Sequence, residues 1–328
     1  MRPSHPKVIV QEVGLRDGLQ SIAQVMATDD KRRWIDAAYA AGVRHLEAAS
    51  FVPARLLPQM ADASRVIAHA LSYPDLVVTA LVPNLKGAER ALEAGVHRIV
   101  APVSVSAAHS QANVRKSPQE MVDEFHRIRQ LIDQSPPGAG RPRLIAGLST
   151  VFGCTLQGRV PLADIVRVSR GVIDAGCDLL ALGDTTGHAT PGQVGEVLQA
   201  VRAVAGERLA IAHFHDTRGL GLANTLVALE QGIREFDATL GGIGGCPHAP
   251  GASGNVATED LVFMLDSLGY HSGIDVVRLL AARQLLEQAL PGVTLFGALA
   301  RAGLPHGYAS PHHHDNDGKR HQGQGVAA

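Results

Sequence analysis

Short β-branched runs alternate with longer stretches of helical periodicity along almost the whole chain, and that rhythm is what most constrains the fold. It is the pattern of successive βα units around a parallel sheet. Eight strands are expected: Val8 to Val13, Val43 to Ala48, Leu76 to Leu81, His97 to Val103, Arg143 to Ser149, Asp178 to Gly183, Leu209 to His215 and Glu235 to Leu240. Helices fall between them, such as Asp29 to Ala41, with Thr28-Asp-Asp as its capping signal, and Pro118 to Gln134, opened by Ser117 with proline in the first turn. Ala41-Gly42-Val43, Ala94-Gly95-Val96, Ala175-Gly176-Cys177 and Gln231-Gly232-Ile233 form a weak internal repeat. Each ends a helix on glycine, which supplies the left-handed C-cap, and leads into an even-numbered strand.

Eight units predict an α/β fold of the (β/α)8 TIM-barrel class, which takes about 250 residues, and the chain has 328. A doubly wound sheet is the fallback, but the Gly-x-Gly-x-x-Gly expected after its first strand is missing. The division is a catalytic barrel over 1–270, a helical extension of the same domain over 271–305, read as extra helices from Ile274 to about Leu304 packed against the barrel end, and a disordered tail over 306–328. That tail is polar, without apolar period, and contains His312, His313 and His314.

Composition excludes several classes. A net charge of −1 lacks the positive field of a nucleic-acid binder. No segment approaches the roughly 18 uninterrupted apolar residues of a membrane helix. Cys154, Cys177 and Cys246 are too few and scattered for a disulfide framework or a paired-cysteine zinc site, and the N-terminus has no signal-like apolar stretch, so a cytoplasmic location is expected.

Catalytic groups of such a barrel sit where strands end. Strand one runs into Gly14-Leu-Arg-Asp-Gly18, strand two carries Glu47, strand six ends at Gly183-Asp184, strand seven carries His213-Phe-His215, and strand eight opens into a loop reaching Asn255. Side chains two apart on a strand share a face, so His213 and His215 can converge on one ion; the alternative is two histidines bonded to backbone or solvent. Closure of the barrel sets strands one, seven and eight side by side, which makes Asp17, His213, His215 and Asn255 a candidate ligand set. Its donors suit Mg2+ or Mn2+ better than a closed zinc site. Arg16 reads as a fixed positive donor for a developing oxyanion. Glu47 and Asp184 serve either proton transfer or the support of Arg16, a histidine or a turn. Six of the fourteen residues from 241 to 254 are glycine, so the Cys246 thiol lies in a loop able to approach and cover a ligand. Cys154 and Cys177 read as structural.

These residues resemble a family. Gly14-Leu-Arg-Asp-Gly-Leu-Gln20, Leu46-Glu-Ala-Ala-Ser-Phe51, Pro83-Asn-Leu-Lys-Gly87, Leu182-Gly-Asp-Thr185, His213-Phe-His-Asp-Thr217 and the run from Gly244 through Cys246 and Asn255 to Val262 are similar to the 3-hydroxy-3-methylglutaryl-CoA lyases. The resemblance implies a metal-dependent homodimer that cleaves an acyl-CoA substrate to acetyl-CoA and acetoacetate. It implies Asp17, His213, His215 and Asn255 as metal ligands and Arg16, Glu47, Asp184 and Cys246 as catalytic residues. Related condensing synthases share the Arg-Asp and His-x-His pieces but not the Cys246 loop. The chain departs from the family at Ser106-Ala-Ala-His-Ser-Gln-Ala-Asn113, where Ser-Glu, an aromatic and Lys-Lys-Asn are usual, at Phe152-Gly-Cys-Thr155, and in lacking a lysine after Gln20. A lyase for a related ester such as citramalyl-CoA, or a condensing synthase, is the alternative.

Overall fold

The computed structural model describes residues 6–135, 140–244 and 253–308. Eight parallel strands close into one barrel in sequence order: β1 (Ile9–Glu12), β2 (His45–Ser50), β3 (Val77–Leu81), β4 (Arg98–Ser104), β5 (Arg143–Ser149), β6 (Leu179–Gly183), β7 (Leu209–His213) and β8 (Glu235–Ala238). The helices are α1 (Thr28–Ala40), α2 (Ala63–Ala70), α3 (Leu85–Glu93), α4 (Ala107–Val114), α5 (Pro118–Gln134), α6 (Leu162–Asp174), α7 (Pro191–Ala205), α8 (Gly221–Glu230), α9 (Thr258–Ser267), α10 (Val276–Ala289) and α11 (Ala298–Ala302). The predicted barrel is therefore present, and its strands match the expected runs to within about two residues.

The main core lies between strands and helices, with Trp34, Phe125, Phe214 and Phe236 among its largest buried side chains. Ile145, Leu179, Ala181 and Ile211 form a separate buried cluster. These four alternate with the residues that feed the outer core, so they line the barrel interior. Below them Arg98 on β4 pairs with Glu235 on β8.

The repeated glycines do what their position predicts. Gly42, Gly95, Gly176 and Gly232 all have positive φ, at 102°, 74°, 93° and 89°, directly after α1, α3, α6 and α8. Ser117 caps α5 through a capping box with Glu120. Thr28 does not cap α1: Ala27 stands at the cap without a side-chain bond, and the Thr28 hydroxyl donates instead to Asp62 Oδ2 at 2.8 Å. The competing acceptor across the α1–α2 contact takes the hydroxyl away from its own helix.

Three other expectations shift. Strand seven stops at His213, and His215 sits beyond it in an isolated antiparallel bridge to Asn255. The extension does not simply cover the barrel end. α10 lies along α1, where Arg278 donates to Ala40 O, Gln24 to Ala289 O and the Asp275 amide to Ala41 O. The segment after it turns over the barrel mouth, with the Phe296 amide donating to Gly241 O. Described structure also continues past 306, where the Tyr308 ring lies tilted against Phe263 and its hydroxyl donates to Asp266 Oδ2 at 2.9 Å. Residues 309–328, with His312, His313 and His314, lie outside the described residues, as does Cys246. No described helix is long and apolar enough to cross a membrane.

Candidate active site

The chain leaves β1 through a single π-type turn, Gly14–Gly18, all of it buried. A Cβ at Gly14 would meet the Trp34 ring at 2.6 Å and one at Gly18 the Ile243 side chain at 2.7 Å. Only glycine lets the turn sink this far, and its sinking presents Arg16 and Asp17 at the barrel mouth. The Arg16 guanidinium is gripped on both arms: Nη1 donates to Asp17 Oδ1 at 2.6 Å and Nη2 meets Glu47 Oε2 at 2.7 Å. The β2–β3 register shifts between Glu47 and Ala49. Such a bulge re-aims a side chain, here Glu47 toward Arg16.

Asp17 also accepts from Gln20 Nε2 at 3.0 Å and from Asn255 Nδ2 at 2.7 Å. The same Asn255 amide nitrogen donates to Ile243 O at 3.1 Å, which leaves Oδ1 buried and without a partner. His213 Nε2 and His215 Nε2 lie 3.1 Å apart, at 4.0 and 3.9 Å from Asp17 Oδ2. One ligand atom from each of Asp17, His213 and His215 lies within 4.8 Å of the others. His213 Nδ1 is bound to Asp237 Oδ2 at 3.1 Å, which places its proton there and the lone pair on Nε2. The donor set fits a divalent cation: two imidazole nitrogens and a carboxylate converge, and the orphaned Asn255 Oδ1 is a fourth donor.

Electrostatics follow from this crowding. Burial works against ionised Asp17, but the Arg16 charge and the two histidines outweigh it and hold the carboxyl at about 2. Burial likewise opposes charge on Arg16, and Glu47 with Asp17 more than reverse it, so the guanidinium stays charged. Glu47 is pushed up to about 7 by burial despite Arg16. Burial also lowers His215 to about 4, helped by His213. His213 rises instead, because its bond to Asp237 and the charge of Asp17 overcome its own burial.

The structure thus brings Arg16, Asp17, Glu47, His213, His215 and Asn255 into one cluster. One oxygen of Asp184 belongs to the loop after β6: Oδ1 accepts from the amides of His188 and Ala189 at 2.8 and 3.1 Å and fastens that loop, while Oδ2 is buried without a hydrogen-bond partner. Burial raises it to about 6. Asp237 was not anticipated. It accepts from Gln11 Nε2 at 2.9 Å as well as facing His213, and the signal available was alternation, which puts it on the same inward face as Glu235.

The chain matches the HMGL-like family over residues 7–286. It belongs to that family. The hydroxymethylglutaryl-CoA lyase YngG of Bacillus subtilis is 39% identical over 288 residues, 88% of this chain and 95% of the relative. The 3-hydroxy-3-isohexenylglutaryl-CoA/hydroxy-methylglutaryl-CoA lyase of Pseudomonas aeruginosa is 40% identical over 279 residues, 85% of this chain and 91% of that one. Among solved structures, an HMG-CoA lyase from Acinetobacter baumannii in complex with coenzyme A and 3-methylmalate superposes with a TM-score of 0.85 at 35% identity, covering 94% of this chain and 99% of the other.

Proposed function

We propose that this protein is a divalent-metal-dependent carbon–carbon lyase that cleaves 3-hydroxy-3-methylglutaryl-CoA to acetyl-CoA and acetoacetate. The observation that carries the reading is the joining, in one buried cluster, of the Asp17, His213, His215 and Asn255 donors to an Arg16 guanidinium held by two carboxylates. Relatives bearing the lyase name match the chain along nearly its full length.

Asp17, His213, His215 and Asn255 would hold the cation, either Mg2+ or Mn2+. When bound it would supply positive charge that lowers the cost of removing the C3 hydroxyl proton. Glu47, raised to about 7 and with a buried Oε1 that has no partner, is the carboxylate placed to take it. As the C2–C3 bond breaks, C3 becomes the ketone carbon and the electron pair passes to the thioester as an enolate. Arg16, fixed on both arms before substrate arrives, stabilises that oxygen without reorganising. Asp237 keeps His213 in the tautomer that presents Nε2. The Cys246 thiol gives the proton that converts the enolate to acetyl-CoA. Asp184 shapes the loop between β6 and α7 and acts through it.

Purified protein with Mn2+ or Mg2+ is expected to release acetyl-CoA and acetoacetate from the ester, read by product mass. Condensation of acetyl-CoA with a 2-oxo acid in place of cleavage would overturn the reading. Cys246→Ser is expected to keep metal affinity and lose turnover; a fully active variant would remove Cys246 from the mechanism.

A further inference from the structure

One row of inward positions runs round half of the barrel mouth. Ser104 on β4 is in register with Ser149 on β5, Gly183 on β6 with His213 on β7, and His213 with Asp237 on β8. The Leu148–Leu182 pair sets Ser149 beside Gly183 as the next step. With strands about 4.8 Å apart, Ser149 lies roughly 10 Å along the wall from His213, and Gly183 puts no side chain between them. In the closed order β5 is four strands from β1 in either direction, so these serines face the Arg16 turn across the mouth.

The two serines are not isolated. His109, on the first turn of α4, has Nδ1 2.7 Å from Ser104 Oγ, and Ser104 Oγ is 2.9 Å from Ser149 Oγ. Ser106 caps α4 by accepting from the His109 amide, which fixes where the imidazole starts. Three polar groups are therefore wired in series from the α4 side of the mouth to the wall at Ser149. A hydroxyl carries one proton and two lone pairs, so such a chain is directional. If His109 donates, Ser149 retains its O–H; if His109 accepts, the Ser149 end retains lone pairs. An alkyl ligand satisfies neither state and a carboxylate only the first. A hydroxyl satisfies both.

We propose that Ser104, His109 and Ser149 form an acyl subsite that selects 3-hydroxyacyl-CoA esters whose C3 substituent carries a hydroxyl. The inference rests on the lyase reading above. In that reading the cation would face the C3 hydroxyl and Arg16 the thioester oxygen, and the anionic carboxylate of the acyl chain is drawn by charge to the same cation. The remaining substituent of C3 is directed to the opposite wall, where the serines stand. A subsite built around a hydrogen bond discriminates against the analogue lacking the partner far more than an apolar pocket discriminates by one methylene. The bond changes are those of the methyl ester: the C2–C3 bond breaks, the C3 hydroxyl proton leaves, and the electron pair is protonated at C2. With a hydroxymethyl substituent the products are acetyl-CoA and 4-hydroxyacetoacetate.

The test compares 3-hydroxy-3-methylglutaryl-CoA with 3-hydroxy-3-(hydroxymethyl)glutaryl-CoA on the Mn2+-loaded full chain. The hydroxymethyl ester is expected to be preferred at least tenfold in kcat/KM, with the difference carried by KM. Ser149→Ala should lower that ratio tenfold or more, and His109→Phe should lower it as well, while His109→Gln, which keeps a hydrogen-bonding end, should restore part of it. A wild-type ratio of one or less, or a Ser149→Ala ratio equal to the wild type's, overturns the subsite. Release of acetyl-CoA from neither ester overturns the lyase reading and the subsite with it, an outcome distinct from cleavage without preference. Should Ser149→Ala not fold, by circular dichroism, the His109→Phe and His109→Gln pair decides the question.

Discussion

Asp17 serves Arg16, Gln20 and Asn255 while keeping Oδ2 within about 4 Å of both histidine Nε2 atoms. Its carboxylate is the negative charge that faces both histidine Nε2 atoms. Asp17→Asn is therefore expected to weaken Mn2+ binding at least a hundredfold by titration calorimetry and to lower kcat about a thousandfold. Arg16→Lys separates two roles. A single ammonium cannot bridge Asp17 and Glu47 as the guanidinium fork does, so kcat is expected to fall 10²- to 10³-fold with Mn2+ affinity kept within about threefold. Equal loss of both would count against Arg16 as an oxyanion donor. Glu12 gives a pH prediction away from the metal ligands. It accepts from the amides of Gly14 and Leu240 and from the Thr258 hydroxyl, yet complete burial pushes it up to about 7. A carboxyl whose folded pKa exceeds its unfolded value binds more protons when folded, so its contribution declines as pH rises from about 4.5 to 7, by order of 3 kcal/mol. Glu12→Gln cannot titrate, and its Tm should fall less than that of the wild type over this interval. Parallel Tm–pH curves would place the titration elsewhere.

At the scale of elements, the braces between α1 and its neighbours carry the wall behind the Gly14–Gly18 turn. Lys31 is buried and its Nζ donates to Gln59 O at 2.5 Å and to Asp62 Oδ1 at 2.6 Å. Lys31→Met removes the charge and leaves Asp62 with only the Thr28 hydroxyl among the partners seen here. A loss of about 3 kcal/mol is expected, read as a lower midpoint in urea with the slope unchanged. A midpoint within error of the wild type's would show that the pair contributes nothing net. The ends of elements were where local reading was weakest. Thr28 has the composition of a cap but faces Asp62, and His215 lies past the end of β7 in a bridge to Asn255. Both outcomes were decided by partners more than thirty residues away. Glycine C-caps and the Ser117 capping box were legible because their chemistry is completed within one turn of chain.

For the whole molecule, a cation held at the proposed site would stabilise the closed fold. The ligands come from the β1 turn, from β7 and its end, and from beyond β8, elements brought together only by closure. At a hundredfold excess over Kd, an ion bound only by the folded state adds about 2.7 kcal/mol, which for a chain of this size is roughly 4 °C in Tm. Mn2+ should raise Tm by that amount in the wild type and not in His215→Ala; an equal rise in both would move the binding site elsewhere.

The barrel class and the strand order of the candidate residues were readable from the amino-acid sequence, and so was the proposed ligand set Asp17, His213, His215 and Asn255, because these depend on period, on glycine placement and on spacing within short motifs. Barrel closure decided the rest. It set Glu47 and Asp17 on the two arms of Arg16, made Asp237 the partner of His213, turned Asp184 Oδ1 to its loop amides, and aligned Ser104 and Ser149 in the row that runs on to His213 and Asp237. Those relations join residues far apart in the chain through strand register and burial, and neither quantity exists until the eight strands have met.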